Sequence, residues 1–177
     1  LSSHGDSGLT GWNIGSVAQK ILLRAHVSCL LVRAYHPLQT ARTDLRYQRL
    51  LVPLDGSLRA ECALPVASTL AQFNQAELWL AYVVRRPDLP HYLPLTPEEQ
   101  TMVEQLLLRN RSAVAQHLEQ LRVQWPAVTA IHLLTNGAVA ATLDALTADE
   151  QIDLVILSAH GYSGGNQWPY GSVTTNF

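Results

Sequence analysis

Four apolar runs of strand length, at residues 50–54, 78–84, 128–134 and 152–157, alternate with stretches of helical periodicity. A run that is apolar at nearly every position is covered on both faces, the condition of a strand inside a parallel sheet. Parallel neighbours need a crossover of about a dozen residues or more, and the intervening segments supply it as helices with right-handed connections. The order βαβαβαβ therefore predicts an open α/β sheet with helices on both faces. Ligands of such sheets bind outside the carboxyl ends of the strands. Pro53 has no N–H to give to a ladder and must lie near the end of the first strand, and Asp55 follows at that strand's carboxyl edge.

The helices announce their ends. Ser57 is an N-cap for a helix running to about residue 73, bent by Pro65. Thr96-Pro97-Glu98-Glu99 reads as a capping box with Pro at the first helical position. The helix it opens carries Val103, Leu106, Leu107, Val114, Leu118 and Leu121 on one stripe and stops before Pro126. Asn136-Gly137 breaks the chain, a short helix covers 138–147, and the three prolines within 85–95 mark a loop.

The opening of the chain returns at its close, at an offset of 156 residues. Leu1, Ser2, His4, Gly5, Ser7, Gly8, Trp12, Gly15, Ser16 and Val17 recur as Leu157, Ser158, His160, Gly161, Ser163, Gly164, Trp168, Gly171, Ser172 and Val173. Scarce Trp and His keep the same register, which points to tandem duplication. Residues 1–35 then read as the end of a first domain, comprising a loop, a helix over 16–25 and a fifth strand at 29–32. Residues 36–46 form a linker, and 47–177 form a second domain that lacks its own last strand. The segment 1–33 is expected to pack beside the fourth strand, in cis or from a partner chain, because a bare sheet edge invites association.

Composition removes several classes of function. A net charge of −2 gives no basic surface over the whole chain for nucleic acid or for an anionic membrane. The apolar runs fall far short of the roughly 20 residues that cross a bilayer. Cys29 and Cys62 form neither a disulfide framework nor a Cys-x-x-Cys site, so a reducing cytoplasm is the expected setting. His132 falls within the third strand and reads as a hydrogen-bonded sheet histidine, with no metal ligands to join it.

The residues that carry chemistry follow the fourth strand. Gly161, Gly164, Gly165 and Gly171 let backbone N–H groups approach an anion, and Ser172-Val173 opens the next helix. That is the composition of a phosphate cradle, and equally of a plain turn. No Lys or Arg lies between His160 and Ser172, so backbone donors and a helix dipole worth about 0.3–1 kcal/mol would hold an anion unaided. No ordered Ser-His-acid arrangement or Gly-x-Ser-x-Gly elbow accompanies His160. Trp12 and Trp168 serve as apolar anchors of their loops or as stacking surfaces for a base.

At these residues the sequence resembles the universal stress protein family. Its nucleotide motif, Gly-x2-Gly-x9-Gly-Ser/Thr, aligns with Ser158, Gly161, Gly171 and Ser172, and in the earlier copy with Ser2, Gly5, Gly15 and Ser16. The first Gly is Ser in both copies, and Tyr162 and Asp6 stand where many binding members carry Arg. Leu51-Val52-Pro53-Leu54-Asp55-Gly56-Ser57 looks like the family's first strand, and Val83 matches the position whose backbone faces the base. The resemblance implies a Rossmann-like, HUP-type open parallel five-stranded sheet of order 3-2-1-4-5. It implies a regulatory stress-response protein binding ATP, ADP or AMP, with Mg²⁺ offsetting phosphate charge and any hydrolysis slow. Asp55 and Val83 would meet the adenine, and Ser158, Gly161, Gly171, Ser172 and Val173 the ribose and phosphates. It further implies a homodimer or intramolecular pseudo-dimer paired through the fifth strand. The other reading open to these residues is a family member that binds no nucleotide and acts by dimerisation or partner binding.

Overall fold

The structure, a computed structural model, describes residues 46–87, 94–135, 138–162 and 171–176, together with Lys20 and Arg24. Two compact units divide the chain, Leu1–Leu45 and Arg46–Phe177, and the architecture below is that of the second. The strand expected at 29–32, the linker at 36–45, Trp12, Trp168 and the middle of the glycine-rich loop lie outside the described residues.

Strands β1 (Arg49–Leu54), β2 (Glu77–Val84), β3 (Val128–Thr135) and β4 (Leu154–Val155) form one sheet of order β3-β2-β1-β4. Every pair described is parallel: Leu50 lies opposite Leu78 and Leu154, and Leu80 opposite Ile131. The fold is thus the expected open α/β sheet, with four strands among the described residues and the inner order 3-2-1-4.

Successive side chains of a strand point to opposite faces, and both faces of β1 and β2 are apolar. Leu50, Val52, Leu54, Leu78 and Leu80 bury one face against helices α1 (Leu58–Glu61), α2 (Leu64–Asn74) and α3 (Pro97–Gln124). Leu51, Trp79, Ala81 and Val83 bury the other against α4 (Val139–Asp149), with Val173 of α5 (Ser172–Asn176) packed alongside. Two cores on one thin sheet explain why the central strands read as unbroken apolar runs.

The expected helix over 57–73 is divided in two. Pro65 cannot donate to a carbonyl one turn earlier, so α1 ends at Glu61 and α2 starts afresh with the proline in its first turn. The capping box of α3 forms as its sequence requires: Thr96 N–H donates to Glu99 Oε2 at 2.8 Å, and Glu99 N–H to Thr96 Oγ1 at 3.3 Å. Its expected apolar stripe is buried only in part. A helix of 28 residues is about 42 Å long, against about 27 Å for the eight-residue strands it covers. Val103, Leu118 and Leu121 are buried, whereas Leu106, between them along the helix, remains 43% exposed.

Leu80 is wholly buried in the first core, and truncating such a side chain leaves a cavity that the sheet cannot close. Leu80→Ala is expected to lower unfolding stability by about 2–5 kcal/mol in urea titrations. A loss below about 1 kcal/mol would remove Leu80 from the core.

Candidate functional site

The site begins with an interruption of the sheet. Arg49 and Leu51 accept through their carbonyls from Asp153 N–H (3.0 Å) and Ile156 N–H (2.9 Å), so alternate residues of β1 turn their backbone groups towards β4. In a parallel ladder the next residue on that side is Pro53, which has no N–H to give to Ile156. Pairing therefore stops, β4 is shorter than the expected run over 152–157, and the two strands part beyond this point. The parting falls where helices change faces, since α1, α2 and α3 cover one side and α4 and α5 the other. This is the topological switch point of the sheet, where open α/β folds bind their ligands.

Asp55 stands in the gap. Its Oδ1 accepts from the Ser57 hydroxyl at 2.6 Å and the Ser57 N–H at 3.0 Å, and its Oδ2 accepts from the Tyr162 N–H. Burial alone would raise the carboxyl's pKa, but the donors from Ser57 and Tyr162 together outweigh it and hold the group below its ordinary value. Ser57 is doubly engaged, because its hydroxyl also accepts from Ala60 N–H at 3.2 Å and caps α1. Tyr82 donates its hydroxyl to the Asp55 carbonyl at 3.3 Å. Burial pushes the Tyr82 phenol's pKa up, and the nearby Asp55 charge adds to the rise.

Two glycines here have no substitute. Gly56 sits at φ +80°, a conformation that side chains rarely adopt, and it turns the chain from β1 into the Ser57 cap. A Cβ on Gly161 would stand 1.9 Å from Asp55 Oδ2. Gly161 and Asp55 are therefore in direct contact across the switch point.

The far end of the loop is tied back to its start. Gly171 N–H donates to the Ala159 carbonyl at 2.8 Å, and Thr174 Oγ1 to the Ser158 carbonyl at 3.2 Å. The Ser158 hydroxyl donates to the His160 carbonyl at 2.9 Å. These bonds bring both ends of the glycine-rich loop against the end of β1.

A crevice of about 1020 Å³ opens here, in the size class of small-molecule sites. All seven residues expected at a ligand, Asp55, Val83, Ser158, Gly161, Gly171, Ser172 and Val173, line it. Val83 is buried in the second core, so it borders the crevice at the end of β2 as part of the wall. Sequence reasoning missed Tyr82 and Arg85, which also line the crevice, and the part that Ser57 plays in holding Asp55. Period-two alternation places Tyr82 on the face opposite Val83, but only the register of Leu54 with Tyr82 brings it under Asp55. His132 stacks on Trp79, with centroids 4.6 Å apart, and is not among the residues that line the crevice. Among the described residues no group of three or more His, Cys, Asp or Glu is placed to hold a metal ion, and no helix is long and apolar enough to cross a membrane.

Residues 46–177 match the universal stress protein family. The chain belongs to that family. Among solved structures, the universal stress protein UspA from Lactobacillus plantarum is 26% identical, with a TM-score of 0.64 over 75% of this chain and 91% of that one. A universal stress protein family member from Burkholderia pseudomallei is also 26% identical, with a TM-score of 0.48 over 62% and 79% of the two chains. The hypothetical protein MJ0577 shares the fold at 21% identity and a TM-score of 0.54, covering 75% of this chain and 88% of its own. A search of curated proteins finds no match.

In this universal stress protein the contact of Gly161 with Asp55 gives a sharp double-mutant test. Gly161→Ala is expected to cost about 1–3 kcal/mol of stability by overpacking. In an Asp55→Ala background the same change should cost almost nothing; additive losses would mean that the two residues do not touch. The lowered pKa of Asp55 also sets a pH dependence. A carboxyl with a lower pKa folded than unfolded contributes stability that is present above its unfolded pKa and lost as pH falls through the folded value. Urea midpoints of the wild type should therefore fall more steeply than those of Asp55→Asn from about pH 5 downward. Parallel profiles would deny the carboxylate that role.

Proposed function

We propose that the crevice at the end of β1 and β4 binds an adenine nucleotide or nucleoside, and that the protein acts as a ligand-responsive regulator without rapid catalysis. One observation carries this reading. Asp55 and the two ends of the glycine-rich loop, Ser158–Gly161 by position and Gly171–Ser172, line one crevice at the switch point of the sheet. Membership of the universal stress protein family supports it, since these positions match the family's nucleotide motif save for Ser158 in place of the first Gly.

The residue chemistry suits adenosine. An ionised carboxylate only accepts hydrogen bonds, so Asp55 favours a ligand edge that donates, such as the exocyclic amine of adenine. Ala81, Val83, Val139 and Leu143 give an apolar wall for the base, and Val83 offers its backbone at the end of β2. Ser158, Gly161, Gly171, Ser172 and Val173, which line the same crevice, would take the ribose and its phosphates. Mg²⁺ would arrive with a triphosphate. The setting proposed is the cytoplasm, with pairing of like domains through a fifth strand as the means of signalling.

Isothermal titration with ATP, ADP and AMP tests the reading. A Cβ on Gly171 would lie 3.3 Å from the Ala159 carbonyl and 3.7 Å from His160 Cα, so Gly171→Val pushes apart the two ends of the loop. The variant is expected to bind at least tenfold more weakly than the wild type while keeping its circular dichroism spectrum. Equal binding by both proteins, or none by the wild type, would remove the ligand from this crevice and leave the domain to act through partners.

A further inference from the structure

We infer that the crevice selects adenosine ligands of low charge, the nucleoside or its monophosphate, over the triphosphate. The inference rests on the reading of the crevice as an adenosine site and adds the charge it accepts.

Three observations point the same way. The first is in the sequence: no Lys or Arg occurs after Arg122, while Asp144, Asp149, Glu150 and Asp153 all do. The glycine-rich loop therefore brings no fixed cation to the crevice, whatever course its middle takes. The second is the position of the one arginine that lines the crevice among the described residues. Arg85 follows β2, whereas the loop follows β4, and β1 lies between them. Two strand spacings amount to about 10 Å, so the backbone of Arg85 stands across the crevice from the loop and only its extended side chain would approach phosphates held there.

The third is what already occupies two of the donors at the described ends of the loop. Tyr162 N–H is spent on Asp55, and Gly171 N–H on the Ala159 carbonyl. The Asp55 carboxylate itself, against Gly161 at the mouth of the loop, repels each further negative charge brought there. A nucleoside meets none of these costs and a monophosphate meets them once. A triphosphate brings about four charges into a crevice that is lined by the Asp55 carboxylate and, among the described residues, by the single arginine Arg85.

Tyr162 is the place to alter the balance. Its backbone is fixed by Asp55 while its side chain is 85% exposed at the rim of the crevice, so a cation there changes charge without disturbing packing. Isothermal titration of the full chain at pH 8, in EDTA, with adenosine, AMP and ATP is the experiment, run on the wild type and on Tyr162→Lys. Adenosine and AMP are expected to bind the wild type at least tenfold more tightly than ATP, and Mg²⁺ in place of EDTA to narrow the gap. The Tyr162→Lys variant is expected to shift the ratio of AMP to ATP affinity at least threefold in favour of ATP. ATP binding to the wild type as tightly as AMP would overturn the inference and leave the adenosine site standing. So would a ratio unchanged in Tyr162→Lys. Absence of binding by all three ligands would instead take down the adenosine reading itself.

Discussion

A carboxylate that bridges two strand ends holds the working part of this molecule together. At Pro53 the backbone ladder between β1 and β4 loses a donor, and the pairing of the two strands ends at Leu51 and Val155. Asp55 supplies the missing connection with its side chain, taking Tyr162 N–H from the far side and Ser57 from the near side. Hydrogen bonds to an ionised acceptor are roughly twice as strong as neutral ones, so one residue replaces what the ladder loses. The bridge also forces its surroundings. It demands Gly161, because any Cβ there would occupy the position of the carboxylate oxygen, and it demands the Gly56 turn that brings Ser57 round to the same oxygen pair.

The scaffold was legible because its strands are buried on both faces. Runs such as Leu50 to Leu54 carry that burial in every residue, and the observed bounds of β1, β2 and β3 differ from the sequence reading by no more than a residue at either end. The capping box at Thr96 and the stop before Pro126 were equally plain, since each depends on residues within one turn. The shortness of β4 was not, although its cause was in view. Pro53 was recognised as a poor ladder residue, but which neighbour it would fail depends on which way its backbone groups face, and that is decided by register. The partial exposure of the α3 stripe escaped for a similar reason. Periodicity shows which face of a helix is apolar, while the elements packed beneath decide which residues of that face are covered.

At the site, sequence reasoning picked seven residues that line one crevice and missed their mutual contact. The family resemblance assigns Asp55 to the base and Gly161 to the ribose and phosphates of one ligand, and all seven expected residues do line one crevice. Yet Asp55 is bonded to the loop itself, by way of Tyr162. A motif records residue types at fixed spacings along one segment; it does not record that a side chain 107 positions away has taken one of its amides. Tyr82 was overlooked for the same reason, being tied to Asp55 only through the pairing of β2 with β1.

The bridge has a consequence for any ligand, because the groups that preorganise the crevice are drawn from the same stock that would bind an anion. Each loop N–H committed to Asp55 or to Ala159 fixes the shape of the site and is withdrawn from recognition. Rigidity gained in this way lowers the cost of ordering the loop when a ligand enters, which favours every ligand alike. The charge left behind does not act alike on all of them, since a carboxylate with its pKa held down stays ionised through the neutral range and meets a donor edge and a phosphate with opposite sign. In the reading proposed, the shape of this site and its preference among ligands are therefore set by one group. A substitution at Asp55 that relaxed the discrimination against negative charge would also release the strand end that gives the crevice its form.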